Sequence, residues 1–234
     1  YEAIKQVFEK YKRPFTILDI GANFGYYSIR AATEYGATAV MIESEDNEAK
    51  TLLDLCQQNN CRDKLTVLQT RLNLYKLKEI SKCEHFDVIL ALNIIHHFDN
   101  KDIEEICKVF TELGDNLILE TPPSDDTGAC GQNNLKEIID YFKDKDKEKL
   151  GEFQRHTSDT KSDLFWVKTP KSVLRWPYYE YEKLFNIKGI DVDGLKNRGI
   201  GGAKSIVESD FNSKKIRNPR KKVVLDWITG INLY

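Results

Sequence analysis

The sequence predicts an α/β fold: a Rossmann-like, doubly wound, mostly parallel sheet of seven strands with helices on both faces. Three observations lead there. Phe15-Thr16-Ile17-Leu18-Asp19-Ile20 is a short apolar run of the kind a strand covered on both faces requires, and it enters a turn bearing Gly21 and Gly25 before a helical pattern begins. Further apolar runs at 39–42, 65–68, 86–92 and 116–120 alternate with helix-period segments, as the strands of a parallel sheet do. After Glu120 comes an unpatterned stretch, 121–134, rich in Pro, Gly, Asp and Asn, which suits a long loop at the carboxyl edge of that sheet.

The elements follow in order. Residues 1–12 carry Ile4, Val7, Phe8 and Tyr11 at helical spacing, and Pro14 stops the pattern. A strand at 15–20 is followed by a helix from Tyr26 to Glu34 that ends near Gly36. Ala39-Val40-Met41-Ile42 is the second strand, and Asp46 caps a helix that places Leu52, Leu53 and Cys56 on one face. The third and fourth strands are 65–68 and 86–92, with no element assigned between them. Asp99 or Asn100 opens a helix carrying Ile103, Ile106, Val109, Phe110 and Leu113, and 116–120 is the fifth strand. Residues 135–150 read as a helix with a highly charged outer face, and 164–167 with 172–174 as a closing hairpin.

Composition limits the function classes. Hydrophobic residues at 41% suffice for a real core, and a net charge of −2 gives no global attraction to nucleic acid or membrane. No apolar run approaches the ~20 residues needed to span a bilayer. The five cysteines (Cys56, Cys61, Cys83, Cys107, Cys130) form no C-x-x-C pair, which favours reduced thiols in the cytoplasm over a zinc site or disulfide framework. The chain begins at Tyr1 and is expected to be a piece of a longer, multidomain protein.

Candidate site residues cluster at the ends of the strands. Asp19, Gly21, Asn23 and Gly25 form a D-x-G-x-N-x-G turn, followed by Tyr26. Gly21 lets the backbone approach a ligand, and Gly25 lets the helix pack on the strand. Glu43 ends the second strand, where an acid commonly holds ribose hydroxyls; Ser44 follows it and Glu45 is the rival acid. The third strand leads into Gln69-Thr70-Arg71-Leu72-Asn73, which offers Arg71, Leu72 and Asn73 but no aspartate. Asn93-Ile94-Ile95-His96-His97-Phe98 follows the fourth strand, with His96 read as the candidate base and His97 as the packing residue. Glu120 ends the fifth strand. Glu152 and His156 lie four apart in a later polar cluster. Trp176, Tyr178, Tyr179 and Tyr181 read either as a sugar-stacking platform or as core, and the basic run 214–222 either as a phosphate contact or as a solvated face. Gly199-Ile200-Gly201-Gly202-Ala203-Lys204-Ser205 lacks P-loop spacing.

Over residues 15–120 the motifs resemble those of the class I S-adenosylmethionine (SAM) dependent methyltransferases, with the turn at 19–25 as their first motif. SAM has no pyrophosphate for a helix N-terminus; it carries an ammonium and a sulfonium, which a nearby carboxylate suits. The resemblance implies SAM as cofactor, with S-adenosylhomocysteine as product. It also implies a cofactor-binding core at 1–120, acceptor-binding elements and last strands at 121–234, and Asn93 near the methionine end. A narrower similarity covers Asn93 to Phe98, Leu117 to Glu120 and Lys149 to Phe153 with His156. There the chain resembles the methyltransferase half of bacterial O-antigen chain-terminating methyltransferase–kinase proteins, and the tail at 226–233 is similar to related glycan-modifying enzymes. That implies a glycan acceptor (a sugar hydroxyl or sugar phosphate) and fusion to other glycan-processing domains. A hydroxyl acceptor needs a base, for which His96 comes first, with His97, Glu120, Glu152 and His156 in support. A divalent metal is left open but no compact acidic cluster demands one. The rival readings are an RNA-modifying methyltransferase, which the net charge opposes, and a SAM-binding module without catalysis.

Overall fold

The computed structural model describes residues 1–12, 14–125, 134–154 and 160–169. Helix α1 (Glu2–Phe8) precedes β1 (Thr16–Ile20), α2 (Tyr26–Tyr35), β2 (Thr38–Glu43), α3 (Asp46–Gln58), β3 (Leu65–Gln69), α4 (Leu74–Cys83) and β4 (Phe86–Leu92). A short 3₁₀ turn (Ile95–His97) then leads towards α5 (Ile103–Leu113), β5 (Gly114–Glu120), α6 (Leu135–Phe142), β6 (Lys147–Gln154) and β7 (Lys161–Lys168).

The strands form one sheet in the order β3-β2-β1-β4-β5-β7-β6. Pairings among β1 to β5 are parallel, and β7 runs antiparallel to both β5 and β6. Burial on both faces explains the near-continuous apolar runs of the inner strands. Side chains alternate between two cores, as a period of two demands. Leu18, Ile20, Ile89, Ala91, Leu117 and Leu119 face one layer, which includes Ile106, Phe110 and Leu113 of α5. Ile17, Met41, Val88, Leu90 and Ile118 face the other, with Ile4, Phe8, Ile29 and Leu52. Strand order reverses between β1 and β4, so their carboxyl ends diverge and leave a crevice.

Polar groups at the opposite, amino edge are committed to holding the sheet together. Asp87 Oδ2 accepts from the Thr16 backbone N–H (2.8 Å) and from Thr16 Oγ1 (3.0 Å). The Trp166 indole donates to Asn116 Oδ1 at 2.8 Å.

The structure corrects the sequence reading in three places. The expected helix over 135–150 stops at Phe142, and Lys147–Gln154 is instead the edge strand β6. Ile138 and Phe142, four apart, are buried, but no apolar residue continues their stripe through Lys143-Asp144-Lys145-Asp146. Second, the closing hairpin pairs 147–154 with 161–168; the expected strand at 172–174 lies outside the described residues. Third, α4 fills the gap left between the third and fourth strands. Asn73 caps it, its Oδ1 accepting from Lys76 N–H at 2.9 Å, and Leu77 and Ile80 anchor it to the core.

Candidate active site

A cleft of about 470 Å³ opens at the carboxyl ends of β1, β2, β3 and β4. Its shape begins in the turn after β1. Gly21 has φ 70°, a backbone conformation that favours glycine, and a Cβ there would lie 2.7 Å from Ile94 Cδ1, so any larger residue would also displace the Ile94 side chain beside β4. The backbone N–H groups of Gly21 and Ala22 both donate to the Ile42 carbonyl, at 2.9 and 3.0 Å, which ties the turn to β2. Gly25, at φ 69°, starts α2; a Cβ there would sit 2.2 Å from Leu52 Cδ1. Asn23 also takes positive φ, 51°, a conformation asparagine tolerates better than most residues.

Glu43 lines the cleft and is held from two loops. Its Oε2 accepts from Asn23 N–H at 2.8 Å, and its Oε1 accepts from the N–H groups of Ser44 (2.7 Å) and Glu45 (3.0 Å). Three backbone donors fix the plane of this carboxylate before any ligand arrives. Ser44 and Glu45 line the cleft beside it, so both of the weighed acids are present. Thr70, Arg71 and Leu72 supply the wall beyond β3, and the Thr70 N–H ties that wall to the Glu43 carbonyl at 2.9 Å.

Asn93 lines the opposite wall at φ 54°. Its Oδ1 is buried and accepts no hydrogen bond among the described residues. A buried acceptor without a donor costs about 1–3 kcal/mol, which a ligand's N–H group would relieve. Ile94 and Phe98 provide apolar surface nearby.

The two histidines exchange their expected places. His97 lines the cleft, whereas His96 is buried at 2% exposure. Their rings are 4.1 Å apart between centroids, tilted by 37°. The 3₁₀ turn sets this: successive residues there point about 120° apart, so turning one outward sends its neighbour inward.

Other expected site residues stand away from the cleft. Asp19 alternates with Leu18 and Ile20 and so faces α2, where Ser28 Oγ donates to its Oδ2 at 2.7 Å. Burial pushes its carboxyl up to about 6; the Ser28 bond opposes the rise and the charge of Glu43 adds to it. Tyr26 is exposed on the first turn of α2, and the Asn73 side chain is spent on capping α4. Glu152 lines no described cavity. It pairs with Lys149 (2.6 Å) and Lys161 (3.4 Å) on the outer strand, and those bonds hold its carboxyl below the usual range. Strand alternation instead turns its neighbour Phe153 towards a second, smaller cavity, which Glu120 and Tyr27 also line. His156 and the aromatic, glycine-rich and basic segments of 176–222 lie outside the described residues.

Sequence reasoning missed Thr70, Ile94 and Phe98 in the cleft and Tyr27 and Phe153 in the second cavity. Only Phe153 carried a usable signal: it is an apolar residue flanked by the polar Glu152 and Gln154.

The sequence matches no protein-family model and no curated protein. Its architecture does match solved structures. The bifunctional kinase–methyltransferase WbdD superposes with a TM-score of 0.59 at 20% identity, over 71% of this chain and 38% of that one. Magnesium protoporphyrin IX methyltransferase (ChlM) from Synechocystis PCC 6803, solved with bound SAM, gives a TM-score of 0.53 at 17% identity, over 72% of this chain and 76% of that one. An O-methyltransferase family protein from Burkholderia thailandensis gives 0.51 at 14%, over 70% and 53%. The chain has the class I methyltransferase fold. It spans well under half the length of WbdD. Within the class I fold the cleft falls at the β1/β4 switch point, where open α/β sheets bind their ligands. No helix among the described residues is long and apolar enough to cross a membrane.

Proposed function

We propose that this chain is a SAM-dependent O-methyltransferase acting on a sugar of a glycan. The observation that carries the reading is Glu43: a carboxylate at the end of β2, oriented by three backbone N–H groups and facing a cleft at the switch point. Two ribose hydroxyls can donate to its remaining lone pairs. The rest of the wall fits the same ligand. Leu72, Ile94 and Phe98 give apolar surface for a base, and the orphaned Asn93 Oδ1 is an acceptor for an ammonium. Glu43 and Glu45 outweigh Arg71, which leaves the lining negative and suited to a cation.

SAM supplies a methyl group already activated by its positive sulfur. This chain's residues must then hold the acceptor oxygen in line, and orientation of that kind supplies ~7–11 kcal/mol. As the new O–CH₃ bond forms and the old C–S bond breaks, the hydroxyl loses its proton. His97, on the cleft wall, is the residue placed to take it and return it to solvent. The glycan acceptor rests on the resemblance over Asn93–Phe98, Leu117–Glu120 and Lys149–Phe153. The likeness to WbdD, a bifunctional kinase–methyltransferase, supports methyl transfer and a place in a fused protein. The free thiols of Cys56, Cys61 and Cys107 support a reducing, cytoplasmic setting.

Calorimetric titration with S-adenosylhomocysteine tests the cofactor assignment. Mass spectrometry of oligosaccharides incubated with labelled SAM tests the reaction. Absence of any heat of binding would refute the first, and methyl transfer to RNA rather than to glycans would refute the second.

A further inference from the structure

One lysine holds the cleft wall beyond β3. Thr70, Arg71 and Leu72 line the cleft there, and the chain then turns into α4. Lys76, in the first turn of α4, reaches back: its ammonium donates to Thr70 Oγ1 at 2.6 Å and to the Arg71 carbonyl at 3.1 Å. Its backbone N–H donates to Asn73 Oδ1 at 2.9 Å. The Thr70 N–H donates in turn to the Glu43 carbonyl at 2.9 Å, so the loop 70–76 is closed on itself and fastened to β2.

That clamp decides which polar groups the wall offers. A threonine hydroxyl has one hydrogen and two lone pairs, and an ammonium only donates. With Lys76 on one lone pair, the Thr70 hydrogen is free to donate, and among the described residues no acceptor takes it. The ammonium draws electron density from the oxygen, which strengthens its O–H as a donor and weakens the remaining lone pair. Arg71 has five donors and no acceptor. Its guanidinium lines the cleft, is exposed, and meets no partner among the described residues. Asn73 Oδ1 and the Arg71 carbonyl are both spent on Lys76. The side chains of this wall therefore keep their donors and have used their acceptors. Strand order then places the wall relative to a bound cofactor. The ends of β3, β2, β1 and β4 set Thr70, Glu43, Gly21 and Asn93 in that sequence along the sheet edge, at about 4.8 Å per strand. With the ribose on Glu43 and the ammonium at Asn93, the base lies on the far side of Glu43, against Thr70 and Arg71.

We propose that Thr70 and Arg71 read the purine of the cofactor through its ring nitrogens, that the 6-amino group goes unread, and that Lys76 is the positioning residue that sets this preference. The ring nitrogens N1, N3 and N7 of adenine are acceptors and match donors, whereas the amino group is itself a donor. Setting that group against the Thr70 hydroxyl or Arg71 would oppose donor to donor. The proposal rests on the methyltransferase reading and deepens it, because it names the part of the cofactor that this chain discriminates. Its consequence is tolerance: a cofactor altered at position 6 of the purine still binds. Glu45, on the β2 side of the cleft, is the rival reader, since a carboxylate accepts from an amino group.

The test is isothermal titration with S-adenosylhomocysteine and four analogues of it. The 6-deamino form lacks only the amino group; the 1-deaza, 3-deaza and 7-deaza forms each lack one ring nitrogen. The 6-deamino form should bind within about threefold of the parent, and at least one deaza form should bind about tenfold more weakly. Thr70→Val, nearly isosteric, or Arg71→Ala should remove most of that deaza penalty, because the donor that made the contact is gone. Lys76→Met frees the Thr70 oxygen to accept, so the parent should gain on the 6-deamino form by about threefold. Lys76→Arg keeps a donor there and should restore the original ratio, which a merely structural role would not move. A 6-deamino form about tenfold weaker than the parent would overturn the proposal, and loss of that penalty in Glu45→Gln would assign the amino group to Glu45. Three deaza forms bound like the parent, a deaza penalty that survives both wall variants, or a ratio indifferent to Lys76→Met would overturn it too. Failure of the parent compound to bind is a separate outcome: it removes the methyltransferase reading itself and this proposal with it.

Discussion

The backbone N–H of Asn23 donates to Glu43 Oε2 at 2.8 Å, so the turn after β1 and the tip of β2 are locked together across the mouth of the cleft. Truncating Glu43 strips three backbone donors of their acceptor as well as removing the ribose contact proposed above. Glu43→Ala should weaken S-adenosylhomocysteine binding by ten- to a hundredfold, that is by about 1.4–2.7 kcal/mol, in isothermal titration. Unchanged affinity would place the cofactor elsewhere.

Gly25 and Gly36 share a left-handed backbone but not their surroundings. A Cβ at Gly25 would collide with Leu52 Cδ1 at 2.2 Å, whereas at Gly36 it meets nothing within 4 Å. Gly36→Ala should cost about 1 kcal/mol through φ alone. Gly25→Ala should cost about 2–4 kcal/mol, since forced overpacking adds to the strain. Thermal melts of the two variants distinguish them, and equal losses would contradict the close packing of α2 on α3.

Asp19 should give the protein a pH signature. Its folded pKa, about 6, stands above that of an unfolded aspartate near 3.9. Between those values the folded state holds more protons than the unfolded state, so this group's contribution to stability falls as pH rises from about 4 to about 6 and is level above that. The full span is on the order of 3 kcal/mol. Asp19→Asn should flatten the slope in that window when denaturant midpoints are compared across pH. A variant that keeps the wild-type slope would show that Asp19 ionises freely.

The neighbouring histidines should separate kinetically. His97→Ala should lower turnover by ~10²–10⁴-fold while leaving S-adenosylhomocysteine affinity within about twofold. His96→Ala, emptying a buried site, should show first as a lower melting temperature. The reverse pattern would restore His96 as the base.

The inner strands were legible because burial on both faces leaves them few polar residues: Ile17, Leu18, Val88, Ile89 and Leu90 announce themselves. The edge strand β6 did not. Its outer surface carries Lys149 and Glu152, which pair with Lys161 and Asp163 and discourage edge-to-edge association, and such charge hides the strand period. Helix α4 was masked similarly by Lys76, Lys78 and Glu79 around its anchors Leu77 and Ile80. Within the site, Glu43 and Asn93 could be placed by counting from strand ends. Which histidine faces the cleft could not, because a single 3₁₀ turn sets it and no periodicity extends through it. Asp19 was expected at the ligand; its place in the β1 alternation, opposite Leu18 and Ile20, already pointed it into the α2 interface.

The large cleft is assembled from one unbroken span, from Ile20 to Phe98, whereas the small cavity gathers residues from Tyr1 to Leu164. Apart from Leu92 the two inventories do not overlap. A change at Tyr27, Phe153 or Leu164 can therefore reshape the small cavity without altering any residue that lines the large cleft.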